Sequence, residues 1–427
     1  MTGGHQSDRR QGFSVRQGLS YGLLGLPLAF VALPLYVILP NHYAREFGVP
    51  LATLGAVLLV ARLLDAFTDP LIGRWCDRLF ARSHAAVLGF GAICAFLLAA
   101  GFALLFFPAT REPGPLVVWA LAMLVLTYAG FSGLSIAHQS WGAMLGGDEA
   151  YRSQVVAWRE GLGLVGIVLA SVAPLVFGLT ATVALFWAAL LAGWLAWTRA
   201  LAPVATGERI PTDLRLPLRS PAFRRLLAVF VLNGIASAIP ATLVLFFVQD
   251  RLQAPKSMEA AALAVYFLCA AVSMPVWLKV VARLGLERSW LAGMLLATAA
   301  FVWAAALGPG DSAMFLLVCA LSGVALGTDL ALPGALLAGI INRADDRGHS
   351  AGAYFGWWNF ATKLNLALAA GLALPILAWF GYTPGSRDAQ ALSALTLAYC
   401  VLPCVLKLGA ATLLYTTIIR PRQEPSP

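Results

Sequence analysis

Long apolar runs, broken at near-regular intervals by short polar clusters, make up most of this chain. Charges, Pro and Gly divide the runs into twelve segments, at 18–40, 51–74, 84–107, 115–145, 154–177, 181–203, 223–249, 259–282, 288–308, 312–341, 350–380 and 390–418. Each comes close to the about 20 apolar residues a helix needs to cross a hydrocarbon layer, so each is expected to be a transmembrane helix. Between Glu160 and Arg199 there is no charge at all. That stretch is too long for one crossing, and Phe177-Gly178-Leu179-Thr180 suits a hairpin between two. The first run, uncharged from Gly18 to Tyr43, is too long for the apolar region of a signal peptide and reads as a retained helix. The stretch from Arg199 to Arg225, with Pro203, Pro211, Pro217 and Pro221, is the longest polar one between spans and separates two sets of six helices. The expected organisation is a tail at 1–17, a bundle at 18–203, a linker at 204–222, a second bundle at 223–418 and a tail at 419–427.

Composition excludes a soluble protein. Hydrophobic residues form 60% of the 427 and charged residues 11%, and the mean hydropathy is +0.80. A soluble exterior of this size needs far more polar cover. The formal charge of +9 points to membrane orientation rather than to nucleic acid. With a cytoplasmic N-terminus, 21 of the 29 basic residues fall on the cytoplasmic side and five (Arg45, Arg111, Arg251, Lys256, Arg387) outside. That asymmetry follows the positive-inside rule and puts both termini in the cytoplasm, in what reads as a bacterial inner membrane. The six cysteines, Cys76, Cys94, Cys269, Cys319, Cys400 and Cys404, have no ligand spacing and read as packing residues.

After the second span comes Gly73-Arg74-Trp75-Cys76-Asp77-Arg78. This resembles the Gly-x-x-x-Asp-Arg loop signature of the major facilitator superfamily. Glycine permits close helix approach; the aspartate can accept from the N-terminus of a neighbouring helix and pair with arginine, forming a latch of Gly73, Asp77 and Arg78. The expected fold is all-α: a polytopic membrane protein of the major facilitator type, with twelve transmembrane helices in two six-helix bundles.

Ionisable groups inside the spans are few and costly. The second span carries Arg62, Asp65, Thr68, Asp69 and Pro70. Asp65 and Asp69 are four apart and share a helix face, with Arg62 one turn before Asp65. Two carboxylates together in low dielectric need a cation or a proton. The pair is therefore a Na⁺ site, a proton carrier, or an inert partner of Arg62. The pattern Arg-x-x-Asp-x-x-x-Asp-Pro-x-x-Gly resembles the cation-binding helix of the glycoside–pentoside–hexuronide:cation symporters, the melibiose-permease-like family. Ser20-Tyr21-Gly22, Trp141-Gly142-Ala143-Met144, the stretch from Asp148 to Arg159, and Gly356-Trp357-Trp358-Asn359-Phe360-Ala361-Thr362-Lys363-Leu364 extend that resemblance over most of the chain.

The resemblance implies that Asp65 and Asp69 coordinate the cation, with Thr68 where the family varies in cation choice and Ser135 supplying a hydroxyl. It makes Lys363 a charge partner of these acids, as Arg62 is on their own helix. It departs at two sugar-binding acids, whose places are taken by Ala29 and His138. Arg159 falls near a family arginine, although a shift of one residue puts Glu160 there. Trp141, Trp358, Asn359 and Asp329 complete the candidate substrate residues. Asp329 lies beside Pro333 and two glycines placed to break the helix, while Lys407 reads as structural or snorkelling, with no partner marked.

The implied activity is symport of a small solute, sugar- or glycoside-like, driven by Na⁺ or H⁺, by a monomer in the lipid bilayer, with no cofactor beyond the coupling ion and no nucleic-acid partner. The alternative keeps the scaffold and carries an amphiphile, a lipid or a drug, favoured by the missing carboxylate at Ala29. An enzyme is not expected: there is no nucleophile elbow, no His-Glu-x-x-His and no cluster among His5, His42, His84, His138 and His349.

Overall fold

The computed structural model describes residues 13–49, 51–203, 213–343, 350–382 and 385–422. The expected tails and linker lie partly outside the described residues, at 1–12, 204–212 and 423–427. Among the described residues the chain is almost wholly helical and has no strand. Nine helices there are long and apolar enough to cross a membrane.

The first rod, α1 (15–46), is built of four pieces: Val15–Gly22, Gly25–Phe30, the wide-turned Pro34–Ile38, and Leu39–Glu46. Pro27 and Pro34 supply no N–H to the helix ladder, which is the physical reason for its interruptions. There follow α2 (Leu51–Arg82), α3 (His84–Phe106), α4 (Pro113–Ala143), α5 (149–177) and α6 (179–197). The last two are separated by Gly178, whose φ of 77° leaves the helical region at the expected hairpin. The second half holds α7 (Pro221–Arg251), α8 (Lys256–Leu284), α9 (Leu286–Ala306), α10 (Ser312–Arg343), α11 (Ala351–Trp379) and α12 (Ala389–Ile419). Side-chain caps start several of them: Ser83 for α3, Asp148 for α5, Ser220 for α7 and Asp388 for α12.

One expectation fails here. Pro333 does not break α10, which runs through it unbroken. Inside a bilayer a helix is the way a backbone satisfies its own polar groups, so a single proline costs one bond and not the element.

Two compact units form. The first contains the described residues up to Arg219 together with Leu337–Phe360; the second contains Ser220–Leu336 and the described residues from Ala361 onward. The end of α10 and the start of α11 thus cluster with the first six helices, although they follow the linker in sequence. Within the first unit α1 and α5 meet through small residues. A Cβ at Gly166 would overlap the Leu26 carbonyl oxygen, and one at Gly25 would overlap that of Arg159. Lipid tails give apolar side chains no reason to prefer each other, so close backbone approach supplies the packing energy. In the second unit an aromatic core is centred on Phe247, stacked on Tyr399 at 4.2 Å and tilted against Phe315 at 5.7 Å.

Candidate functional site

The apolar run of α2 is interrupted on one side only. Asp65 is 7% exposed and Asp69 0%, one turn apart on the same face. From α4, the Ser132 hydroxyl donates to Asp65 Oδ1 at 2.7 Å. Pro70 follows directly and has no N–H for the Ala66 carbonyl four residues back, which releases that oxygen from the usual helix bond. Arg62 is half-buried one turn upstream.

The other two expected cation ligands, Thr68 and Ser135, each make a local bond on their own helix. Thr68 is exposed, and its hydroxyl donates to the Asp65 backbone carbonyl at 2.9 Å. Ser135 accepts from Gln139 Nε2 at 2.7 Å, and the same amide reaches Asn359 Oδ1 at 3.4 Å. Ser132, Ser135 and Gln139 form an i, i+3, i+7 stripe on one face of α4. Ser132 and Gln139 are polar members of this face that sequence reasoning did not single out. The stripe was a readable signal, because three polar side chains at helical spacing in an apolar span mark a wetted or partnered face.

Several expected substrate residues are placed in packing. His138 is wholly buried. Its Nε2 lies 2.8 Å from the Tyr21 carbonyl, its ring stacks on Tyr21 at 4.3 Å, and Trp197 meets it edge-on at 5.5 Å. The Tyr21 hydroxyl returns a bond to the His138 carbonyl at 3.1 Å. This imidazole joins α1, α4 and α6 and offers no accessible surface for the solute role expected of it. Trp141 is likewise enclosed, donating to the Leu201 carbonyl at 2.8 Å and packing on His84 and Trp197. Arg159 forms an ion pair with its neighbour Glu160. Ala29 is half-buried, and its Cβ lies where a Cβ added at Gly163 of α5 would meet it at 3.3 Å. Trp358 is buried and Asn359 half-buried.

The loop signature forms a helix cap. Asp77 is 2% exposed, and its two carboxylate oxygens accept from the Gly352 N–H at 2.5 Å and the Ala353 N–H at 2.9 Å, the first turn of α11. Unpaired N–H groups at a helix start carry partial positive charge, which a carboxylate neutralises. Gly73 makes room for this: a Cβ there would overlap the Gly352 carbonyl oxygen. Arg78 is exposed at the end of the same helix.

In the second unit Lys363 is half-buried on α11. Lys407, read as structural or snorkelling, has a partner that the sequence did not mark. Its ammonium lies 2.8 Å from Asp329 Oδ2.

The chemistry open to the α2 face is that of two carboxylates, a hydroxyl and a carbonyl, all hard oxygens. Such a donor set suits a small hard cation or a proton. Among the described residues no three His, Cys, Asp or Glu side chains come together, the arrangement softer transition metals use.

Residues 20–420 match the protein family described as "MFS/sugar transport protein". The chain is 23% identical to the Escherichia coli (strain K12) protein named "Putative glycoside/cation symporter YagG", over 93% of this chain and 90% of that one. It is 26% identical to the "Inner membrane symporter YicJ" of the same organism, over 37% of this chain and 34% of that one. Among solved structures, a bacterial homologue of the iron transporter ferroportin, in an outward-facing state, superposes with a TM-score of 0.71 at 18% identity, covering 93% of this chain and 100% of its own. The Escherichia coli fucose:proton symporter gives 0.66 at 16%, covering 94% and 99%. At these identities the structures speak for the fold alone.

Proposed function

This chain belongs to the MFS/sugar transport protein family of multi-pass membrane transporters, not enzymes, and on that premise we propose that it couples a cation, Na⁺ or H⁺, to symport of a sugar- or glycoside-like solute. The observation that carries the coupling is the pair of buried carboxylates, Asp65 and Asp69, on one face of α2 with the Ser132 hydroxyl on Asp65. Two buried acids one turn apart repel each other unless a positive charge is shared between them. A cation or proton bound there is worth more once the solute is bound, and by linkage the solute then binds more tightly once the cation is in place. Arg62, one turn before Asp65 on α2, is the basic group that balances these acids in the empty carrier. Alternating exposure of the site to the two sides of the membrane then delivers both cargoes, and the Asp77 cap on α11 latches one state of that cycle.

The relatives named for glycoside and inner-membrane symport support the solute class and a bacterial inner membrane, and the distribution of basic residues supports cytoplasmic termini. Each chain works as a monomer in this reading, since every proposed ligand comes from one copy.

The test is thermal unfolding of the purified protein in NaCl against choline chloride across pH. At a concentration 100 times its dissociation constant a ligand contributes about 2.7 kcal/mol. Wild type is expected to melt higher in Na⁺, or at the lower pH for a proton, with the shift lost in Asp65→Asn and Asp69→Asn. Proteoliposome uptake of radiolabelled glycosides is expected to lose its cation dependence in the same variants. Undiminished coupled uptake in both variants refutes the assignment.

A further inference from the structure

The second unit encloses an ionic network that the coupling chemistry does not use. Lys407, on α12, points its ammonium at three oxygens: Asn233 Oδ1 at 2.8 Å, Asp329 Oδ2 at 2.8 Å and Ser237 Oγ at 3.1 Å. A lysine has three N–H bonds to give, so all are placed. The other carboxylate oxygen of Asp329 accepts from the Trp290 indole at 2.8 Å and from the Asn233 amide at 3.0 Å. The contributing side chains come from α7 (Asn233, Ser237), α9 (Trp290), α10 (Asp329) and α12 (Lys407). Trp290 is 0% and Asn233 3% exposed, and the side chains of Asp329 and Lys407 retain 14% and 10%.

The first unit joins the corresponding members of its own six helices in the same manner but without charge. There His138 of α4 and Tyr21 of α1 bond each other's backbone, with Trp197 of α6 against the ring. First, fourth and sixth helices are tied in both halves, once by neutral groups and once by an ion pair.

We infer that Asp329 and Lys407 form a charge-compensated clamp, a positioning pair that holds α7 and α10 against α9 and α12, and that neither side chain binds the solute or the coupling cation. Asp329 thereby leaves the set of substrate residues. Both of its oxygens and all three ammonium protons are engaged by groups of the bundle itself. A charge buried among apolar helices is tolerated while its partner is present and strongly disfavoured alone. The two residues are therefore needed together or not at all.

A four-protein cycle tests this: wild type, Asp329→Asn, Lys407→Gln, and the double variant. In the double variant the amide introduced at position 329 can keep its oxygen toward Trp290 and Asn233. Its NH₂ then faces the amide oxygen introduced at position 407, so the network survives without charge. Each single variant is expected to melt about 5 °C below wild type in detergent, having stranded one buried charge. The double variant is expected to recover most of that loss and to keep the wild-type response of its melting temperature to NaCl or pH. Single variants as stable as wild type overturn the clamp. So does a double variant no more stable than the singles, because compensation is then not what the pair supplies. A double variant that is stable but has lost a cation response present in wild type also overturns it, since one of the two residues then serves the ion. If wild type itself shows no cation response, the proposed coupling site fails while the stability cycle still decides the clamp.

Discussion

Replacing Asp77 by asparagine isolates the electrostatics of the α11 cap. Asp77 is 2% exposed and bonds two successive N–H groups, at 2.5 and 2.9 Å. Asparagine keeps one acceptor oxygen and turns an NH₂ group toward the other donor. A hydrogen bond to a charged group contributes about 1.5–3 kcal/mol, and a negative charge at a helix start adds about 0.3–1 kcal/mol. Loss of one such bond and of the charge therefore costs about 2–4 kcal/mol, a roughly 30- to 900-fold rise in the population with the first turn of α11 released. Hydrogen exchange read by mass spectrometry in nanodiscs measures this directly, on a peptide covering residues 350–360. Protection there is expected to fall by that factor, with a peptide from α7 unchanged as the control. Unchanged protection at 350–360 refutes the cap as an energetic element. A fall spread equally over α7 refutes its local character.

Two other substitutions separate bonds that look alike in sequence. Ser132→Ala removes the donor to a buried carboxylate, about 1.5–3 kcal/mol, whereas Ser135→Ala removes a neutral bond to Gln139, about 0.5–1.5 kcal/mol. Ser132→Ala is therefore expected to lower the melting temperature more, and the reverse order counts against Asp65 relying on that hydroxyl. At the other end of the second unit, the Tyr382 hydroxyl donates to Asp250, which also accepts from the Gly385 N–H. Burial, and then the bond to Asp250, raise the Tyr382 phenol above its ordinary value of 10.0. A raised folded-state value gives stability that is complete below the unfolded value and is lost as pH climbs from there toward the folded one. Wild type is expected to lose melting temperature above about pH 10, more steeply than Tyr382→Phe; identical slopes remove Tyr382 from the account.

Much of this protein was readable along the chain because the relevant signals are local. A crossing length of apolar residues specifies a span whatever it packs against. Four-residue spacing puts Asp65 and Asp69 on one face in any helix, and the hairpin at Gly178 follows from a stretch too long for one crossing. What tertiary structure decided was partnership. Nothing near Lys407 in sequence names Asp329, 78 positions away, and its partner went unmarked for that reason. The same holds for Ser132 rather than Ser135 beside Asp65, for His138 enclosed against Tyr21 and Trp197, and for the ends of α10 and α11 clustering with the first six helices. Helical periodicity reports which way a side chain faces, and only the packing of other helices determines which atoms it meets there.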